Sequence, residues 1–418
     1  MSSFTVSGGR PLRGRITVPG DKSISHRALL LAALAEGTSV VRGLSDGDDV
    51  VRTRRAVEAM GAGFDGEKIT GGRTRLHEPD DVLDMGNSGT GIRLLAGMCA
   101  GLPWLTVLTG DASIRRRPMD RVLEPLHTMG ARIHGRGGGR FAPLAVVGGA
   151  LQGVDVQTNV ASAQVKSAIL LAGLGAEGET RVRQGVATRP HTEELLALAG
   201  VDVEVRDEGR DVRLRPSPLE PFQLDVPGDP SQAAFWLVAA CLVPGSEVVV
   251  DDVYLGPTRA GFVSVLARMG ADIEQTGPRE IRARYSPDLH AVEIRGRETA
   301  DVIDEIPVLA VAAALAGGET VFADAGELRI KESDRIATVT AGLAALGARY
   351  ELTDDGFLVV GPNTLHGALT TSHGDHRVAM ALAVAGLAAR GTTTVDGWAA
   401  VATSYPRFES DLERLCGS

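Results

Sequence analysis

Pro19-Gly20-Asp21-Lys22-Ser23-Ile24-Ser25-His26-Arg27 runs into an apolar, alanine-rich stretch of helical period, and the same transition recurs five more times along the 418 residues. The later polar clusters are Asn87-Ser88-Gly89-Thr90, Ser162-Ala163-Gln164, Gly228-Asp229-Pro230-Ser231, Asp304-Glu305 and Gly374-Asp375-His376-Arg377. Ser, Asp and Asn at such junctions accept from the first N–H groups of a helix, so each cluster predicts a helix start. A helix N-terminus carries unpaired N–H groups and the positive end of the macrodipole. Several aimed at one place make a site for a small, multiply charged anion.

A second phrase repeats between the clusters: an apolar helix ending in glycine, at Gly61, Gly130, Gly200, Gly270 and Gly347, in steps of 69, 70, 70 and 77 residues. Glycine there is the helix C′ residue. Turn phrases such as Glu36-Gly37-Thr38, Glu177-Gly178-Glu179-Thr180 and Gly391-Thr392-Thr393 then open β-branched runs. One unit reads strand, helix, strand, helix and two closing strands. A period near 70 exceeds that of common solenoids and fits a small α/β subdomain used six times. Six units divide into two domains of three, and the prolines at 216, 218, 221, 227 and 230 mark the seam. Phe4-Thr5-Val6 and Arg15-Ile16-Thr17-Val18 are strand-like, and pattern leaves open which half they join.

Composition narrows the partners. The net charge of −10 has no basic, aromatic-interleaved face to offset it, which excludes nucleic acid as a general partner. No apolar run is long enough to span a bilayer, and Met1-Ser2-Ser3-Phe4 lacks the start of a secretory signal, so no membrane association is expected. Cys99, Cys241 and Cys416 are few, odd in number and scattered, as for reduced cytoplasmic thiols. Of 43 basic residues only Lys22, Lys68, Lys166 and Lys331 are lysines. A lysine that survives so strong an arginine bias is a candidate for uses of a compact, titratable ammonium. Lys68 sits in a surface turn and serves as the internal control.

The clusters then supply chemistry. Lys22, Ser23 and Arg27 put an ammonium, a hydroxyl and a guanidinium on the first turns of one helix, as a clamp for phosphate or carboxylate; the glycine spacing of a P-loop is absent. Arg329-Ile330-Lys331-Glu332-Ser333-Asp334-Arg335 is the densest charged segment, and its spacing predicts Lys331 and Arg335 on one helical face with Glu332 beside them as a proton-exchanging group. Asp304 reads as a helix N-cap or as a general base. In Arg115-Arg116-Arg117-Pro118, ahead of another helix, at least one guanidinium is a candidate for the site. His373 and His376 have a usable metal spacing but no accompanying acidic or cysteine cluster, so no metal is expected.

These motifs, in this order and spacing from about residue 8 to residue 410, resemble the 5-enolpyruvylshikimate-3-phosphate synthase family. The resemblance rests on Pro19 to Arg27, Gly86-Asn87-Ser88-Gly89-Thr90, Arg117-Pro118, Ser162-Ala163-Gln164-Val165-Lys166, Arg329 to Arg335 and Asp375-His376-Arg377. It implies a two-domain inside-out α/β barrel with three repeats per domain and an interdomain cleft: residues 1–20 with 228–418 as one domain, 21–227 as the other. The first strands would join the C-terminal half. It implies addition of the 5-hydroxyl of shikimate 3-phosphate to C2 of phosphoenolpyruvate, then loss of phosphate, by a cytoplasmic monomer without cofactor or metal. Lys22, Gly89, Arg117, Gln164, Arg335, His376 and Arg377 would surround phosphoenolpyruvate. Lys22, Ser23, Arg27, Ser162, Ala163, Gln164, Arg189, Asp304 and Lys331 would hold shikimate 3-phosphate. Asp304 would take the 5-hydroxyl proton, and Lys22, Lys331 and Glu332 complete the catalytic set, the last two moving protons at the methylene carbon.

The chain departs from the family in places. Thr403 stands where many members carry a lysine before the Ser404-Tyr405-Pro406 segment, and Glu327-Leu328 stands where many have asparagine. Ser162 to Lys166 and Arg189-Pro190-His191-Thr192-Glu193 resemble the glyphosate-tolerant subgroup, whereas Gly89 is the glycine of sensitive members. The rival readings are a transferase of the same chemistry acting on UDP-N-acetylglucosamine, an RNA phosphate cyclase, and a non-catalytic anion-binding module. The first needs a cysteine near Arg115 to Arg117 that is lacking, and the second a nucleotide motif and a less acidic chain. The third does not require Asp304, Lys331 and Glu332 together.

Overall fold

All six polar clusters stand at helix starts in the computed structural model, which describes residues 2–158, 160–256 and 258–417. The helices are Lys22–Leu34, Gly89–Ala100, Ala163–Gly173, Pro230–Leu242, Ile306–Leu315 and His376–Ala388. Asp21, Ser88, Ser162, Asp229 and Asp375 cap five of them with side-chain oxygens. At the remaining one the N-cap is Glu305, without a side-chain capping bond, so Asp304 is not the cap. These helices are buried almost all round, as continuous apolar sequence requires. The helices between them, such as Asp48–Ala59 and Asp120–Thr128, are amphipathic and end on the expected glycines, which take φ of +75° to +101°.

The chain divides into two compact units, Met1–Pro19 with Pro227–Ser418, and Gly20–Val226. In Gly20–Val226 three four-stranded sheets share one topology. An edge strand lies parallel to its neighbour, joined to it through a buried helix in the first two sheets, and two antiparallel strands follow. The orders are Leu83–Asp84, Leu105–Thr109, Phe141–Val147, Arg132–Arg136; then Asp155–Thr158, Thr180–Gln184, Asp211–Arg215, Asp202–Arg206; then Gln223–Asp225, Gly37–Arg42, Lys68–Gly71, Gly63–Asp65. The Gly89–Ala100 helix packs against both Lys22–Leu34 and Ala163–Gly173.

The other unit repeats the plan with Arg13–Thr17, Glu247–Asp251, Glu280–Arg284, Asp272–Gly277 and with Glu293–Ile294, Gly318–Phe322, Phe357–Gly361, Arg349–Leu352. Its third sheet has Leu369–Thr371 parallel to Thr392–Asp396 and closes on Ser3–Ser7, Ser3 opposite Asp396 and Ser7 opposite Thr392. Helices Pro230–Leu242, Ile306–Leu315 and His376–Ala388 pack on one another at its core. The two opening strands, which pattern alone left open and the resemblance assigned to the C-terminal half, both belong to this unit. Strands are exchanged where the chain passes between units. Arg13–Thr17, which precedes the Lys22–Leu34 helix, pairs with Glu247–Asp251, whereas Gln223–Asp225, which precedes the Pro230–Leu242 helix, pairs with Gly37–Arg42.

Cys99 and Cys241 are buried in helices, where burial pushes both thiols up to about 12, so neither is a nucleophile. Among the described residues no helix is long and apolar enough to cross a membrane.

Candidate active site

In Gly20–Val226 the candidate residues sit on three helix starts and the loops beside them. Lys22, on the first turn after its Asp21 cap, pairs with Asp49 at 2.9 Å, and both side chains are largely withdrawn from water. Beneath it His26 is fully buried, with Nδ1 2.8 Å from Thr53 Oγ1. Burial, then the charges of Lys22 and Arg27, hold its pKa well below the usual histidine value, so it is neutral. Arg27 faces inward. Its Nε donates to Thr192 Oγ1 (2.7 Å), Nη1 to the Ser23 carbonyl (2.8 Å) and Nη2 to Ser167 Oγ (2.7 Å). The expected i, i+4 pairing with Ser23 exists, but through the backbone, and Arg27 spends these donors tying helices together.

Arg93, which sequence reading passed over, joins the second and third helix starts. Its guanidinium donates to the Gly89 carbonyl (3.1 Å), Gln164 Oε1 (3.1 Å) and the Pro118 carbonyl (3.3 Å), and Gln164 Nε2 donates to Thr90 Oγ1 (2.9 Å). Gly89, Gln164 and the Arg117-Pro118 turn are thereby fixed to one another. Arg117 is buried while Arg115 and Arg116 are exposed, so one of the three arginines turns inward. A Cβ on Gly89 would lie 2.7 Å from Arg117 Nη1 and 2.9 Å from its Cζ, so the glycine is what lets the guanidinium lie against this helix start. Ser162 caps its helix from the Val165 N–H (3.4 Å), Ala163 follows, and Arg189 is half-buried at the end of the loop leading to helix His191–Leu198.

In the other unit the charged residues converge on Arg335. Its Nε donates to Asp375 (2.8 Å), Nη2 to Glu332 (2.6 Å) and Nη1 to Asp304 (3.3 Å). Burial opposes its charge, but Asp375, Glu332 and Asp304 outweigh that and raise its pKa further. Arg377 reaches the same Asp304, donating to its carbonyl at 3.1 Å and lying 3.7 Å from its carboxylate. Asp375 also caps the helix that begins with His376, accepting from the Arg377 N–H at 2.9 Å, and His376 is buried there.

Lys331 is placed differently from expectation. It ends a 3₁₀ turn, Gly326–Ile330, in extended conformation, and a new helix, Arg335–Ala345, starts after the Asp334 cap, so Lys331 and Arg335 share no helical face. They meet through tertiary structure. Burial lowers the Lys331 pKa to about 8, helped by the Arg335 charge and opposed by Asp304, Glu332 and Glu327. An ammonium with its pKa near neutrality can give up a proton at working pH.

A second buried network lies beside this one. Arg259 pairs with Asp229 (2.6 Å) and Glu305 (3.8 Å), and Ser231 donates to Glu305, which anchors the residue next to Asp304. Thr403 donates to the Ala400 carbonyl (2.7 Å), and Tyr405 is buried between Trp236 and Asp411. Among the described residues no cluster of three or more His, Cys, Asp or Glu could hold a metal.

The enolpyruvyl transferase NikO of Streptomyces tendae superposes with a TM-score of 0.80 over 98% of this chain and 96% of its own, at 20% identity, so the fold is one that enolpyruvyl transferases share. The sequence matches the EPSP synthase (3-phosphoshikimate 1-carboxyvinyltransferase) family over residues 6–412, and the chain belongs to that family. The proteins named 3-phosphoshikimate 1-carboxyvinyltransferase from Gloeobacter violaceus and Anaeromyxobacter sp. are 51% and 49% identical to it, each over 99% of this chain and 99% and 98% of their own lengths. EPSP synthase of Acinetobacter baumannii is 39% identical with a TM-score of 0.85, over 99% of this chain and 98% of that one.

Proposed function

We propose that the chain transfers the enolpyruvyl group of phosphoenolpyruvate to the 5-hydroxyl of shikimate 3-phosphate and releases phosphate, the transferase step its family performs in the shikimate pathway. The observation that carries the reading is the cluster around Arg335, where one carboxylate held by two guanidinium groups stands beside a lysine with a lowered pKa. Asp304 takes the 5-hydroxyl proton as the oxygen adds to C2, while a proton is delivered to the methylene carbon. Removal of a proton from the resulting methyl group then expels phosphate. Lys331 and Glu332 carry the proton in these two steps, and Lys22, Arg117, Arg335 and Arg377 offset the phosphate and carboxylate charge. Ser23, Arg27, Ser162, Ala163, Gln164 and Arg189 serve the shikimate 3-phosphate side, with Gly89, Gln164 and His376 at phosphoenolpyruvate. In this reading the finer architecture is an inside-out α/β barrel with three repeats in each unit.

The deciding measurement is phosphate release from phosphoenolpyruvate with shikimate 3-phosphate against UDP-N-acetylglucosamine as co-substrate. Turnover is expected with the first alone, and turnover with the second overturns the assignment. Because protein cations do the charge stabilisation, exhaustive chelation is expected to leave the rate unchanged, and a loss restored by one divalent metal would count against this. Gly89→Ala pushes on the Arg117 guanidinium and is expected to raise KM for phosphoenolpyruvate by about tenfold, since overpacking costs on the order of 1–3 kcal/mol. An unchanged KM in the folded variant refutes that role for the glycine.

A further inference from the structure

Lys166 is a lysine in an arginine-rich chain whose purpose the reaction leaves unexplained, and it is fully buried. Its ammonium forms an ion pair with Glu193, also buried, and donates to the Thr188 carbonyl at 3.3 Å. Beside this pair, Ser167, the residue after Lys166, and Thr192, the residue before Glu193, share a hydroxyl hydrogen bond of 2.6 Å and receive the Arg27 donors. Thr188 is held a second time, because its hydroxyl donates to Gln184 Oε1 at 2.8 Å and Gln184 Nε2 donates to the Ser162 carbonyl at 3.4 Å. The loop between strand Thr180–Gln184 and helix His191–Leu198 is thus pinned to the Ala163–Gly173 helix start at Thr188, the residue before Arg189.

We propose that Lys166 is a positioning residue for Arg189, holding this loop so that the guanidinium is presented beside Ser162, Ala163 and Gln164. The proposal rests on the reading that Arg189 meets the shikimate 3-phosphate side. A buried ion pair is a poor device for stability alone, since a well-packed apolar pair of similar volume is often as stable. What an apolar pair cannot do is hold the Thr188 carbonyl. An ammonium carries three donors around one atom and can serve a carboxylate and a carbonyl together, whereas a planar guanidinium needs a wider, coplanar set of acceptors.

The test uses the full-length chain and isothermal titration of shikimate 3-phosphate, with melting temperature, kcat and both KM values recorded for each variant. The variants are Arg189→Met, the pair Lys166→Met with Glu193→Met, their triple combination, and Thr188→Val. The paired variant is expected to melt within a few degrees of wild type, bind shikimate 3-phosphate about tenfold more weakly and keep its KM for phosphoenolpyruvate within about twofold. The triple variant should bind no more weakly than Arg189→Met, because the pair acts through that arginine. Wild-type affinity in the folded paired variant, or a loss that adds in full to that of Arg189→Met, overturns the positioning role while leaving the Arg189 reading intact. Wild-type affinity in Arg189→Met overturns the reading and the proposal with it. Should the paired variant not fold, Thr188→Val, which cuts only the side-chain tie, is expected to weaken binding about threefold by the loss of one hydrogen bond, and unchanged affinity there overturns the proposal.

Discussion

Lys331→Arg is expected to lower kcat/KM by about a hundredfold or more, a loss of about 2.7 kcal/mol of transition-state stabilisation. The substitution keeps the charge but removes the means of giving up a proton, because a guanidinium stays protonated throughout the working range. Lys331 is suited to that exchange by a pKa of about 8, lowered by burial above all and by Arg335, against the opposing charge of Asp304. Its sign fixes the pH dependence. The lowered pKa means the ammonium is lost as pH rises through about 8 in the free enzyme, so kcat/KM should fall on that alkaline limb. Bound phosphate and carboxylate favour the ammonium, which moves the corresponding limb in kcat to higher pH. In Lys331→Arg the limb should vanish from what activity remains. Lys68, exposed on strand Lys68–Gly71, is the control, and its Arg variant should be near neutral. Near-wild-type kinetics in Lys331→Arg would remove the lysine from the proton path.

Asp304→Asn is expected to cost about a thousandfold in kcat, in the middle of the range for loss of a positioned general base. Asparagine keeps the shape and one carbonyl oxygen facing Arg335, and the Arg377 bond to the Asp304 backbone carbonyl is untouched by the change. Binding of shikimate 3-phosphate should therefore change by less than about threefold while turnover falls, the signature of an interaction used in the transition state. A loss confined to KM would recast Asp304 as a binding group only.

What could be read from sequence was local. Helix starts follow from capping chemistry within three or four residues, so Asp21, Ser88, Ser162, Asp229 and Asp375 stand out unaided. The glycines that end helices are legible for the same reason. The error over Lys331 and Arg335 came from preferring i, i+4 spacing to a capping residue in plain view. Asp334 accepts from the Ala337 N–H at 3.1 Å and starts the helix after the lysine. Arg93 with Gln164, Lys22 with Asp49, Arg259 with Asp229 and Lys166 with Glu193 left no trace in the sequence, because each partner is more than twenty residues away and no periodicity links them. In the same way, Gly89 is legible as part of a helix start, but that its neighbour there is Arg117 is visible only in the structure.

The exchange of strands sets an order of assembly on the ribosome. All twelve strands of the three four-stranded sheets in Gly20–Val226 lie within one continuous span, so those sheets can be completed once Gln223–Asp225 has emerged to pair with Gly37–Arg42. Arg13–Thr17 must wait for Glu247–Asp251, and Ser3–Ser7, the first strand among the described residues, has its partner in Thr392–Asp396, the last of them. At about 5–20 residues per second the opening strand spends on the order of tens of seconds with its edge unsatisfied. Its sequence, Ser3-Phe4-Thr5-Val6-Ser7, exposes only two large apolar side chains during that delay, which leaves a nascent edge with little to recruit a wrong partner.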